Sequence, residues 1–224
     1  MKILLAGDST VANCPTEEFP MSGWGAHLAP HVHAWAAVHN FAKGGATTES
    51  FREEGLWQAL LDTADAGDMV LVQFGHNDQK RQHLVADAGY AMNLRRMVQE
   101  IRGRGASPVL CTSVERRNFH GGVSVATLAD YAEAVGSIAD DMGVPVIDLH
   151  DWTSRLYAAA GEGGAAAYFT HFAPGTHAHW PEGIADNTHF NQHGASLVAG
   201  FVAQRLRELR DGFHEAIRVA VEVG

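Results

Sequence analysis

The sequence predicts an α/β fold: a three-layer α/β/α sandwich around a five-stranded parallel sheet. Three observations carry this expectation. Five short apolar runs recur along the chain, helical patterns separate them, and polar blocks containing Gly, Asp or Asn follow the first three runs. Runs rich in Val, Ile and Leu suit strands buried on both faces, as parallel sheets require. Strand alternating with helix is the pattern of a doubly wound sheet. Right-handed crossovers leave few topologies, and five strands fit the flavodoxin-like order 2-1-3-4-5.

In chain order, the strands are expected at residues 2–6, 36–41, 69–74, 108–112 and 144–148. Residues 87–102 place Tyr90, Leu94, Met97, Val98 and Ile101 on one helical face. Residues 125–142 repeat the pattern with Leu128, Ala132, Val135, Ile138 and Ala139, and Gly143 is a natural stop. A last regular helix over 193–209 turns Leu197, Val198, Phe201, Val202 and Leu206 inward. Residues 161–190, rich in Gly, Ala and His, read as a long loop, and loops of that length are commonly functional. The tail 211–224 has the spacing of a short amphipathic helix through Phe213, Ile217 and Val221, a candidate contact for oligomerisation. Neither repeats nor low-complexity blocks interrupt the chain, so residues 1–224 read as a single domain.

Composition narrows the functional classes. At 224 residues and 46% hydrophobic, the chain can bury a full core. A net charge of −10 disfavours nucleic acid and anionic membrane surfaces, which attract basic patches. Long polyanions should be repelled too, unless arginines such as Arg81, Arg116 and Arg117 compensate locally. No apolar stretch approaches the ~18 residues of a membrane span. Met1-Lys2 leads straight into strand, leaving no room for a secretory leader, and Cys14 and Cys111 suggest no disulfide framework. A cytoplasmic protein is therefore expected.

The chemistry lies in four blocks. Gly7-Asp8-Ser9-Thr10 follows the first apolar run and would present a hydroxyl at the carboxyl edge of the sheet. Free serine is a poor nucleophile and needs a base and an oxyanion hole. Asp186-Asn187-Thr188-His189 offers the base, because Asp186, three residues before His189, can reach its imidazole and fix the tautomer. That partner singles out His189 among 14 histidines. Asn40-Phe41-Ala42-Lys43-Gly44-Gly45 and Gly75-His76-Asn77-Asp78 complete the set. Any one block also has a bland reading, such as an N-capping serine or a turn asparagine.

Taken together, Ser9, Gly45, Asn77 and His189 resemble the four signature residues of the SGNH (GDSL-like) hydrolases. Gly-Asp-Ser-Thr-Val, Ser22-Gly23-Trp24-Gly25, Gln73-Phe74-Gly75-His76-Asn77-Asp78-Gln79 and Asp186-Asn187-Thr188-His189-Phe190 are similar to its rhamnogalacturonan acetylesterase-like branch of carbohydrate esterases. The likeness runs from about residue 2 to about residue 205. It implies Ser9, Asp186 and His189 as a catalytic triad. It implies the Ser9 and Gly45 backbone N–H groups, with the Asn77 amide, as a three-donor oxyanion hole. No cofactor is implied. One departure stands out: that branch often carries Gly-Arg-Ser where this chain has Gly45-Ala46-Thr47. The missing arginine weakens the transfer of an acidic-polymer substrate and favours short acetylated oligosaccharides.

Around these residues, Asp8 is expected to hold its loop. His76 and Asp78 read as supports, with His76 also a candidate substrate contact. Trp24 and Trp180 lie in loops with Gly or Pro beside them and could offer flat faces to a sugar ring, though core packing suits Trp24 equally. Trp35 and Trp57 sit in periodic segments and read as core. His171, His177 and His179 match no strong zinc spacing, so no metal is expected. The rival functions are a lysophospholipase or thioesterase of the same superfamily, which would want a long apolar groove, and a carbohydrate-binding module that has lost catalysis.

Overall fold

The computed structural model describes the backbone of residues 1–222 and the side chains through Asp211. The strands are β1 Lys2–Gly7, β2 Ala37–Asn40, β3 Met69–Gln73, β4 Ser107–Cys111, β5 Phe119–His120, β6 Val123–Ser124, β7 Val146–Ile147, β8 Phe169–Phe172 and β9 Ile184–Phe190. The helices are α1 Ala29–Val32, α2 Ser50–Glu53, α3 Leu56–Thr63, α4 Ala91–Gly103, α5 Ala129–Met142, α6 Leu149–Ala165 and α7 Gln192–Glu222. The main sheet is parallel, in the order β2-β1-β3-β4-β7. Its five strands follow the expected 2-1-3-4-5 order.

Strand alternation divides the core into two layers. Leu4, Ala6, Val70, Val72 and Leu110 join the cluster under α3, α4 and α5. Ile3, Leu5, Leu71, Val109 and Cys111 join Val198, Val202 and Leu206 of α7 on the other face. All these side chains are buried, so the sheet is covered on both sides. The expected inward faces of α4 and α5 are buried at Tyr90, Leu94, Met97, Val98, Ile101, Val135 and Ile138. Gly143 ends α5 at φ +58°.

Several elements differ from expectation. β2 alternates between exposed and half-buried residues because it is the sheet's edge and pairs only with β1. Residues 161–190 are not one loop. α6 extends to Ala165, and β8 and β9 then pair as an antiparallel ribbon that leaves 173–183 irregular. The ribbon is held down by buried Phe169, Thr170 and Phe190. Leu197 is 36% exposed rather than inward. α7 continues to Glu222 as one helix, and the contact anticipated through 211–224 lies outside the described side chains beyond Asp211. Among the described residues, no helix is long and apolar enough to cross a membrane.

Candidate active site

Ser9 stands where the chain leaves β1 at the carboxyl edge of the sheet. The turn is tight because Gly7 lacks a side chain: a Cβ there would come 2.9 Å from the Gln73 carbonyl oxygen. Asp8 is buried and closes the turn. Its Oδ1 accepts from the Thr10 backbone N–H at 2.9 Å and from the Thr10 hydroxyl at 2.7 Å. Ser9 Oγ then lies 2.9 Å from His189 Nε2.

Asp186 orients that imidazole. His189 Nδ1 is 2.8 Å from Asp186 Oδ2, while Asp186 Oδ1 accepts from the backbone N–H groups of Thr188 and His189, each at 2.7 Å. One carboxylate thus shapes the turn and also holds the ring it carries. His171 of β8 buttresses this turn, with Nε2 2.9 Å from the Asp186 carbonyl oxygen. Burial opposes the charge on Asp186, but the His189 ring and the backbone N–H groups outweigh it and lower the carboxyl pKa. Burial likewise pulls the His189 pKa down, and the Asp186 hydrogen bond and charge overcome it, with Asp8 and Glu18 adding, so the net shift is upward. A serine, an imidazole and a carboxylate so linked can pass a proton from the hydroxyl to Nε2.

Two further loops converge here. Gly45 follows β2 with φ +78°, a backbone shape that glycine adopts without strain. Asn77 follows β3, and its Nδ2 donates to the Ala46 carbonyl at 3.1 Å. Asp78 fastens the same pair of loops, its Oδ1 accepting from the Thr48 backbone N–H at 3.0 Å and the Thr48 hydroxyl at 2.6 Å. Burial pushes the Asp78 carboxyl up to about 6 against the pull of those Thr48 bonds, with Asp8 nearby adding to the rise. Among the described residues, the backbone N–H groups of Ser9 and Gly45 have no protein acceptor. They and the second Asn77 amide proton are available to a developing oxyanion.

These residues line a cleft of about 520 Å3 together with Glu18, Met21, His76, Lys80, Arg116, Trp180, Ile184 and Thr188. Ser9, Gly45, Asn77, Asp186 and His189 are therefore brought to one place. Trp180 reaches the cleft as expected of a loop tryptophan, tied down by its Nε1 donating to the Phe19 carbonyl at 3.2 Å. Trp24 does not. It is completely buried, and its Nε1 donates to Gln73 Oε1 at 2.7 Å, so it is a core residue with no face for a sugar. His76 is 2% exposed, borders the cleft, and points Nδ1 at Asp8 Oδ2 across 3.4 Å. No motif singles out Lys80, yet its position three residues after Asn77 on a tight turn brings its Nζ 3.0 Å from Asn77 Oδ1. His177 stacks on Phe172 with ring centroids 4.5 Å apart. The described residues hold no group of three or more metal-ligating side chains. A second hollow of about 510 Å3 between α4 and α5 contains none of this machinery.

Residues 5–197 match the GDSL-like lipase/acylhydrolase family. The chain is 43% identical over 210 residues to the rhamnogalacturonan acetylesterase RhgT of Bacillus subtilis, covering 93% of this chain and 90% of that one. It is 34% identical to YesY of the same bacterium, named a probable rhamnogalacturonan acetylesterase, over 92% of this chain and 93% of that protein. The crystal structure of Bacillus subtilis YxiM superposes with a TM-score of 0.78 at 26% identity, over 93% of this chain and 56% of that one.

Proposed function

Because this chain belongs to the GDSL-like lipase/acylhydrolase family, we propose that its 224 residues act as one serine esterase domain removing acetyl groups from rhamnogalacturonan-type oligosaccharides. The observation that carries this reading is the Ser9–His189–Asp186 relay opening into a cleft. The 43% identity to RhgT supplies the substrate class.

Ser9 Oγ attacks the acetyl carbonyl as His189 Nε2 takes its proton. The tetrahedral oxyanion rests on the Ser9 and Gly45 N–H groups and on Asn77 Nδ2. Collapse breaks the bond to the sugar oxygen, which leaves with the proton from His189. Water then repeats the sequence on the acetyl-serine, releasing acetate and restoring the hydroxyl. Asp186 keeps the imidazole in the tautomer that can accept at Nε2 and steadies the imidazolium.

The cleft mixes apolar and charged side chains. Met21, Trp180 and Ile184 are its large apolar side chains, beside Glu18, His76, Lys80 and Arg116. A short acyl group on a polar alcohol matches that lining better than a lipid or thioester tail. Cys14 and Cys111 are both unpaired, which supports a reducing compartment and a cytoplasmic enzyme. The test compares acetate release from acetylated rhamnogalacturonan oligosaccharides with hydrolysis of p-nitrophenyl acetate and of a long-chain acyl ester. Carbohydrate deacetylation should far exceed long-chain hydrolysis. Activity confined to long-chain esters, or none at all, would reject the proposal.

A further inference from the structure

Among the described residues, two cations in the cleft have no carboxylate partner, as is also true of Arg81, Arg102 and Arg117, whereas others on the surface are paired. Lys2, Lys43, Arg52, Arg95, Arg104 and Arg155 each pair with a carboxylate. Lys80 and Arg116, both lining the cleft, pair with none among the described residues. The protein carries a net charge of −10, so unpaired cations at this spot are not a by-product of a basic surface.

Arg116 donates only to neutral acceptors, while Glu115 and Asp8 act on its charge from a distance. Its Nη1 donates to Gln79 Oε1 and to Thr127 Oγ1, each at 3.0 Å, and its Nη2 donates to the His76 carbonyl at 3.3 Å. These acceptors are uncharged. Three of the five guanidinium N–H groups are thereby used, leaving two for a ligand. Buried Glu115, the preceding residue, spends its oxygens elsewhere. It accepts from the Arg116 backbone N–H at 2.6 Å, the Thr127 backbone N–H at 2.8 Å and His150 Nε2 at 2.9 Å. That carboxylate fixes the segment carrying Arg116, which lines the cleft. Lys80 approaches from the loop after β3, where its ammonium touches the neutral amide oxygen of Asn77.

We propose that Arg116 and Lys80 form a carboxylate-binding subsite that holds a uronate of the substrate while Ser9 takes the acetyl group from a neighbouring position. This rests on the carbohydrate acetylesterase reading above. A planar guanidinium with N–H groups to spare and a second cation in the same cleft is an arrangement that favours a carboxylate over a hydroxyl. It also alters what the sequence implied at Ala46, where relatives often carry arginine. Ala46 is buried, and positive charge enters the site instead from the ends of β3 and β4.

The experiment measures kcat/KM for the full chain and for Arg116→Gln, Lys80→Gln and Arg116→Lys. The substrates are an acetylated oligosaccharide containing galacturonate and a neutral acetylated xylo-oligosaccharide. The charged-to-neutral preference should fall about tenfold or more in each glutamine variant, and Arg116→Lys should retain part of it. Salt should erode that preference in the unmodified protein and much less in the variants. An unchanged ratio, or an equal loss on both substrates, would overturn the subsite and leave these residues a purely structural role. Lys80→Gln sits on an exposed turn, so it decides the matter if Arg116→Gln fails to fold. If the unmodified protein cleaves p-nitrophenyl acetate but neither carbohydrate, the acetylesterase reading falls and takes the subsite with it.

Discussion

Replacing Asp186 by Asn changes one atom type in a side chain with two jobs. Its Oδ1 accepts two backbone N–H groups of its own turn, and an asparagine oxygen can keep both bonds. Its Oδ2 faces His189 Nδ1 at 2.8 Å, where the asparagine would present an NH2 donor. Two donors cannot face each other, so the ring must move its proton to Nε2. That nitrogen lies 2.9 Å from Ser9 Oγ and could then no longer accept the serine proton. The loss of a base in the correct tautomer costs about ten-thousand-fold in kcat in a well-studied triad, or about 5.4 kcal/mol of barrier. The turn should survive, so the melting temperature should change by only a few degrees. Steady-state hydrolysis of p-nitrophenyl acetate at saturating substrate, beside a thermal melt, supplies both quantities. A folded Asp186→Asn protein within tenfold of the parent kcat would refute the tautomer argument.

Three other outcomes follow from the same geometry. Asn77→Ala should lower kcat by about 100-fold or more with little change in KM, because the amide acts on the transition state; a rise in KM alone would make Asn77 a ground-state contact. Since His189 must be neutral to act and its pKa is raised, kcat/KM should rise with pH along an acidic limb centred above ~6.5. A limb below that value would contradict the coupling to Asp186. Glu115 has its carboxyl pushed down to about 2: burial opposes its charge, but hydrogen bonds from His150 and Thr127 outweigh that. The unfolded chain protonates a glutamate near 4.5, so this stabilisation is complete above that pH and is lost as pH falls through about 2. The linkage amounts to roughly 3 kcal/mol at most, and Glu115→Gln should abolish this part of the acid dependence in denaturant melts.

Much of this architecture was legible because parallel strands bury both faces and so leave unbroken apolar runs in the sequence. α4 and α5 were legible because each has one wet face. Over 149–165 the many small residues of α6 blur that contrast, and the helix passes through a kink at Gly161. The ribbon β8–β9 escaped notice because threonine, histidine, aspartate and asparagine break up the apolar runs of its two strands, which are joined by a long irregular segment. Ser9, Gly45, Asn77, Asp186 and His189 could be singled out because each sits in a short block with its own local chemistry. Trp24 could not be assigned, since its burial depends on Gln73, far away in sequence and adjacent in space. Lys80 and Arg116 line one cleft because β3 and β4 are neighbours in the sheet, and no local pattern announces that convergence.

The central claim is that Ser9 carries the acetyl group from a carbohydrate ester to water. Rapid quenching during turnover of an acetylated rhamnogalacturonan oligosaccharide, followed by peptide mapping by mass spectrometry, tests it directly. One acetyl group should appear on the peptide containing Ser9, formed within the first turnover. Ser9→Ala should show neither adduct nor acetate release beyond background. Sustained acetate release by purified, folded Ser9→Ala, or an acetyl group on another residue, would contradict it.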